Sequence, residues 1–288
     1  MGKNYRAELT GVFGDPVDGN PTGVMEEAGY EALGLNYRYI TMKVTKDGFP
    51  DAMKAVRALN MRGVNLTMPH KITVLPWLDE LSRAASIIGA VNTVVVREDG
   101  TLFGENTDGK GFVEALGRAG ESAEGKHVTI LGAGGAARAI AVECALAGAV
   151  KVTIINRTFS RAVELAALIR DKTPAESAAL AWESGIAVPA DTDILINATP
   201  VGLAPDSDAL PEIDYGAVTD RMVVSDVVFN PAFTRFLEEA GKHGAKTVSG
   251  LGMLACQGAR NFTLWTGKEA PLEIMENKLR EEFAEDKG

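Results

Sequence analysis

The chain is poor in the residues that staple or metallate a protein: it has only two cysteines and three histidines in 288 residues. Cys144 and Cys256 stand in apolar, helix-like surroundings, so they read as buried thiols rather than a disulfide or redox pair. His70, His127 and His243 fall at no metal-ligand spacing, which leaves no expected metal site and little basis for a Ser-His-Asp hydrolase. No apolar run is long enough to cross a bilayer, since the most apolar stretch, 139–150, is short and carries Glu143. The start, Met1-Gly2-Lys3-Asn4-Tyr5-Arg6, lacks an apolar leader pattern, and the expectation is a cytoplasmic protein with no membrane partner. A net charge of -10 without a run of Lys or Arg repels polyanions, which excludes nucleic acid as the expected partner.

What is present is ordinary globular composition, 46% hydrophobic and 24% charged, over a length of about two domains at roughly 150 residues each. Strand-length and helix-length apolar patterns alternate, which predicts an α/β protein. Strands are expected at 9–13, 37–44, 64–67, 91–97 and 101–104, the last two joined across Asp99-Gly100, a pair suited to a tight hairpin. Helices are expected at 51–59 and 111–118. From Val128 the strands at 128–131, 151–155, 193–197 and 222–228 alternate with helices, the pattern of a doubly wound parallel sheet. The expected division is a substrate domain, 1–105 completed by helical 251–288, and a dinucleotide domain, 106–250.

The strand at 128–131 runs into Gly132-Ala133-Gly134-Gly135-Ala136-Ala137 and then a helix. This is G-x-G-x-x-A in the context that gives it meaning: Gly132 for the turn, Gly134 for close approach of a pyrophosphate, and a helix N-terminus offering N–H groups to the anion. About 20 residues further on, where an NAD enzyme places an acid on the ribose hydroxyls, stands Asn156-Arg157-Thr158, with Arg161 one turn later. An arginine fork binds a 2′-phosphate that an acid would repel, so the expected cofactor is NADP. Two other segments, 65–71 and 104–109, gather amides, hydroxyls, Lys71 and Asp108 between Gly and Pro, which suits a polar site.

At these residues the sequence resembles the shikimate dehydrogenase family: NLTMPHK at 65–71, GAVNT at 89–93, ENTDGKGF at 105–112, GAGGAARA at 132–139, NRT at 156–158, INATPVG at 196–202, DVVFNP at 226–231 and MLACQGA at 253–259. The resemblance implies a two-domain enzyme of aromatic amino acid biosynthesis that reversibly oxidises the C3 hydroxyl of shikimate with NADP. It makes Lys71 and Asp108 the catalytic pair and places Thr67, Asn92 and Gln257 on the hydroxyl side of the substrate. Val227 and Gly250 join the fingerprint residues as cofactor contacts by the same resemblance. Burial disfavours a lysine ammonium and a neighbouring carboxylate favours it. The residues therefore leave open whether Lys71 takes the proton itself or the pair moves it together. His70, read on an extended segment, is expected to point away from Lys71 as a satisfied supporting histidine.

The family holds the substrate carboxylate with a Ser-x-Ser-Pro loop, whereas this loop, 14–23, has no serine. Asn20 and Thr22 are the candidate replacements, and Phe229 stands where the family commonly has Tyr. The chemistry reads as retained and the recognition as altered, with quinate, an aminated shikimate or another cyclic polyol as the alternative substrates and an idle ligand sensor as the alternative class. The assembly is expected to be a monomer or homodimer.

Overall fold

The computed structural model describes residues 5–285. In chain order the first elements are β1 (Glu8–Gly14), α1 (Thr22–Ala32), β2 (Tyr37–Lys43), α2 (Phe49–Ala58), β3 (Gly63–Leu66), α3 (His70–Thr73), β4 (Glu80–Leu81), α4 (Arg83–Ile88), β5 (Thr93–Val96) and β6 (Leu102–Glu105). They are followed by α5 (Thr107–Arg118), β7 (His127–Leu131), α6 (Gly135–Leu146), β8 (Lys151–Asn156), α7 (Phe159–Lys172) and β9 (Glu176–Ala181). The remainder is β10 (Ile186–Ala187), β11 (Ile194–Asn197), β12 (Ile213–Asp214), β13 (Val223–Asp226), α8 (Arg235–Lys242), β14 (Lys246–Val248), α9 (Gly250–Thr266) and α10 (Leu272–Glu285). The described chain divides into two compact units, one of residues 5–107 together with 257–285, the other Asp108–Cys256.

The first unit holds a six-stranded mixed sheet in the order β2-β1-β3-β5-β6-β4. β1 pairs in parallel with β2 and β3, while β5 runs antiparallel to β3 and β6. The β5–β6 connection is the tight hairpin the sequence predicts, with Gly100 at φ +84 and the Arg97 N–H donating to Thr101 O at 2.9 Å. One face of the sheet is covered by α2, whose Phe49, Met53 and Val56 recur at helical spacing and are fully buried with Val64, Leu66 and Val94. α1 packs against α10, and the Tyr30 ring stacks on Phe262 of α9 with centroids 5.2 Å apart.

The second unit is a parallel six-stranded sheet in the order β14-β13-β11-β7-β8-β9. Ile130, Leu131, Val152, Ile154, Ile155, Leu195, Ile196 and Val224 are all fully buried. Such continuous apolar runs are what a strand needs when helices cover both sheet faces. The direction of winding reverses between β7 and β11, which pair from Ile194 opposite Val128 to Asn197 opposite Leu131. In an open α/β sheet the carboxyl ends at such a switch point form the ligand crevice. No helix among the described residues is long and apolar enough to cross a membrane.

Candidate active site

In the second unit the fingerprint turn sits at that switch point. Gly132 follows β7 with φ +109, and a Cβ there would stand 3.0 Å from Ala198 O beyond β11. A side chain at this position is disfavoured by conformation and by space alike. The next part of the turn is open instead: added Cβ atoms on Gly134 and Gly135 would meet nothing within 4 Å. No side chain caps the N-terminus of α6 at Gly134, so its first N–H groups, beside Ala133 and Ala136, face that open space. These features fit a dinucleotide pyrophosphate.

β8 ends on Asn156, whose Nδ2 donates to Thr158 O at 2.9 Å and so shapes the turn into α7. Arg157, Thr158 and Arg161 are exposed beside it, and among the described residues neither arginine is in an ion pair. Residues 156–158 include no acid, and the arrangement fits a 2′-phosphate. Val227 and Gly250 are brought together, since a Cβ on Gly250 would lie 2.7 Å from Val227 O.

In the first unit the polar segments converge through hydrogen bonds. Thr67 follows β3, and its N–H donates to Phe13 O at 3.0 Å. His70 opens the short helix α3 rather than lying on an extended strand, because its N–H turns back to Thr67 O at 2.8 Å. Its ring is fully buried and stacked on Phe49 at 4.4 Å between centroids. His70 Nε2 is 2.6 Å from Val44 O, while Nδ1 has no hydrogen-bond partner, so only half of the ring's polar capacity is met. Lys71, partly exposed, follows in the same turn and its carbonyl accepts from Val91 N–H at 2.8 Å. This bond ties Lys71 to the strand entry that carries Asn92.

Asn92 is 3% exposed, its Oδ1 accepting from Thr107 N–H at 2.8 Å and its Nδ2 donating to Thr107 Oγ1 at 3.0 Å. Asn106 Nδ2 donates to Ala90 O at 3.1 Å, so residues 106 and 107 are pinned to 90 and 92. Asp108 is the next residue, in the first turn of α5. Gln257 on α9 is buried, and its Oε1 accepts from Asn261 Nδ2 at 3.3 Å. Asn20 and Thr22 lie in one turn, the Asn20 Oδ1 accepting from Thr22 N–H at 3.0 Å, and Thr22 is 5% exposed. Phe229 follows β13 and is half-buried.

Four buried residues beyond the sequence-read site set, Tyr39, Asn65, Thr93 and Asn261, extend this network. Tyr39 Oη donates to Asn65 Oδ1 at 2.9 Å, Asn65 Nδ2 donates to Thr93 Oγ1 at 3.1 Å, and Asn261 Oδ1 accepts from Thr93 Oγ1 at 2.7 Å and Thr107 Oγ1 at 2.8 Å. The readable signal for Asn261 is its place one turn after Gln257, an amide on a helix face otherwise apolar. Among the described residues no group of His, Cys, Asp and Glu is placed to hold a metal ion.

Fold and sites together define a two-unit α/β protein with a dinucleotide-binding sheet and a separate unit rich in buried polar side chains. The model of the shikimate dehydrogenase substrate binding domain matches residues 12–94, that of shikimate / quinate 5-dehydrogenase residues 114–201, and that of the shikimate 5'-dehydrogenase C-terminal domain residues 250–280. A shikimate dehydrogenase (NADP(+)) of Desulforamulus reducens is 41% identical over 98% of this chain and 97% of its own. The solved 5-ketofructose reductase of a Gluconobacter strain is 48% identical with TM-score 0.93, covering 97% of this chain and 100% of that one. A shikimate 5-dehydrogenase of Thermus thermophilus, solved with NADP(H) and shikimate, is 38% identical with TM-score 0.83 over 95% of this chain and 99% of its own. The chain belongs to the shikimate dehydrogenase family.

Proposed function

We propose that the protein is an NADP-dependent oxidoreductase that reversibly oxidises the C3 hydroxyl of shikimate to the ketone, working in the cytoplasm as a monomer or homodimer. The observation that carries the reading is the second unit's open glycine turn followed by Asn156, Arg157 and Thr158 in place of an acid. Family membership and NADP(+)-dependent relatives at about 40% identity support it. Residues 1–105 with 251–288 serve the substrate in this reading, and 106–250 serve the nucleotide.

Bound NADP supplies the hydride acceptor, or the donor in the reverse direction. Gly132, Ala133, Gly134, Gly135 and Ala136 would hold its pyrophosphate, Asn156, Arg157, Thr158 and Arg161 its ribose phosphate, and Val227 and Gly250 the remainder. As a carbinol carbon loses hydride its hydroxyl must lose a proton, so a proton acceptor is needed within about 3 Å of that oxygen. Lys71 and Asp108 fill this role. Thr67, Asn92 and Gln257 orient the ring's hydroxyl side.

A second reading, reduction of a neutral polyhydroxy ketone such as 5-ketofructose, is favoured by the loop after β1. There Asn20 Oδ1 is committed to Thr22 N–H, Thr22 is buried, and the loop carries Asp15 and Asp18 rather than serines. A carboxylate bound at this loop would have two acids in it and no serine hydroxyl, with Lys43 already 3.5 Å from Asp15. Losing a charge-assisted bond costs roughly 1.5–3 kcal/mol, which raises a Michaelis constant without removing the chemistry. The test is a steady-state comparison of shikimate and quinate with NADP+, and of 5-ketofructose with NADPH. Turnover of shikimate supports the first reading, turnover of 5-ketofructose with shikimate inert replaces it by the second, and no turnover of any of the three overturns both.

A further inference from the structure

The buried polar side chains around β5 and α9 form one hydrogen-bond network whose direction can be worked out proton by proton. Tyr39 Oη donates to Asn65 Oδ1 at 2.9 Å, and Asn65 Nδ2 donates to Thr93 Oγ1 at 3.1 Å. A hydroxyl has a single hydrogen, and the short contact from Thr93 Oγ1 is to Asn261 Oδ1 at 2.7 Å, against 3.0 Å to Asn92 Oδ1. On the other side Asn92 Nδ2 donates to Thr107 Oγ1 at 3.0 Å, and the Thr107 hydroxyl has Asn261 Oδ1 at 2.8 Å against Asn92 Oδ1 at 3.2 Å. Both hydroxyls therefore deliver their protons to Asn261 Oδ1, filling its two lone pairs. The amide of Asn261 is thereby fixed with Nδ2 toward Gln257, and donates to Gln257 Oε1 at 3.3 Å.

That contact is consequential for Gln257. With Oε1 turned toward Asn261 Nδ2, the amide of Gln257 carries Nε2 on its other side, and it is that donor which the orientation presents to a ligand. Asn92 is fixed by the same means, its Oδ1 held by Thr107 N–H at 2.8 Å and its Nδ2 by Thr107 Oγ1. Asn261 is fully buried in the first unit, so it has no exposed surface of its own to offer a ligand.

We propose that Asn261 is a positioning residue that sets the amide orientation of Gln257, so that Gln257 meets the substrate as a hydrogen-bond donor. The proposal rests on the assignment of Gln257 to the substrate. It selects for substrates that place an acceptor, a hydroxyl or carbonyl oxygen, at Gln257.

A double-mutant cycle tests this, with the full-length enzyme and whichever of shikimate or 5-ketofructose it turns over as the probe. Asn261→Ala should raise KM about tenfold while kcat falls less, because an oriented contact made in ground and transition states alike is lost. Asn261→Ser, too short to reach Gln257 but polar in the buried network, should show the same KM increase and guards against a folding defect, checked by thermal unfolding. In a Gln257→Ala background, Asn261→Ala should add less than about twofold, since the residue through which it acts is gone. A full tenfold further loss in that background, or a drop in kcat with KM unchanged, overturns the proposal. If Gln257→Ala alone leaves KM unaltered, the assignment of Gln257 to the substrate fails and the proposal falls with it, a result distinct from additivity.

Discussion

At the scale of single residues, Glu26 is the group whose surroundings differ most from those of an ordinary surface side chain. It is fully buried on α1 and neither carboxyl oxygen has a hydrogen-bond partner. Desolvation holds its carboxyl well above the usual carboxylate range, offset only in part by the neighbouring Tyr30 phenol and reinforced by the charge of Glu27. The native state therefore keeps a proton that the unfolded chain loses near about pH 4.3. Stability from this group is full below that pH and falls as pH rises from there through the folded-state value. Glu26→Gln removes the dependence. Thermal melts should show the variant's melting temperature rising relative to the parent's as pH increases from about 4, and a difference that stays flat across that range would contradict the account.

Arg157 carries a second prediction at this scale. The enzyme should prefer NADP to NAD by about tenfold or more in kcat/KM, a difference expected of an arginine on a phosphate that NAD lacks. Arg157→Ala should weaken NADP and leave NAD almost unchanged. Equal losses with both cofactors would remove Arg157 from the phosphate site.

At the scale of elements, the fingerprint turn separates conformation from ligand access. Gly132 has φ +109 and a crowded Cβ position, whereas Gly134 has φ -82 and open space. Gly132→Ala should cost about 1–3 kcal/mol of stability. Gly134→Ala should leave the melting temperature near the parent's yet weaken NADP, because its methyl occupies the space where a pyrophosphate approaches. A Gly134→Ala protein that binds NADP normally by titration calorimetry would contradict that placement.

The same scale shows what the amino-acid pattern makes legible. The buried strands β7, β8, β11 and β13 announce themselves as apolar runs, and the Asp99-Gly100 pair marks its hairpin, because each pattern follows from local geometry alone. The helix α1 carries no such announcement. Its buried positions, Thr22, Met25, Glu26, Gly29 and Tyr30, have helical spacing but are filled by a hydroxyl, an acid and a glycine, so hydrophobic periodicity fails there. His70 reads as extended from its neighbours, but a turn back to Thr67 O makes it helical. Lys71, Asp108, Asn92 and Gln257 stand out through motifs, whereas Asn261, marked in the sequence only by its place one turn after Gln257, gains its role when β5, α5 and α9 bring Thr93, Thr107 and Gln257 to one place.

At the scale of the whole molecule, the division of labour is between a parallel sheet with an open glycine turn and a mixed sheet that fixes a set of polar side chains. In the proposed function these serve one NADP-linked oxidation, with Lys71 and Asp108 handling the substrate proton. Loss of acid–base catalysis lowers turnover by about 100-fold or more, while a residue outside the nucleotide site leaves cofactor affinity intact. The most direct test measures kcat and NADP dissociation constants side by side for the parent, Lys71→Ala and Asp108→Ala, each verified as folded. The account predicts turnover reduced at least about 100-fold in both variants with NADP binding unchanged. Near-normal turnover in either folded variant would contradict it.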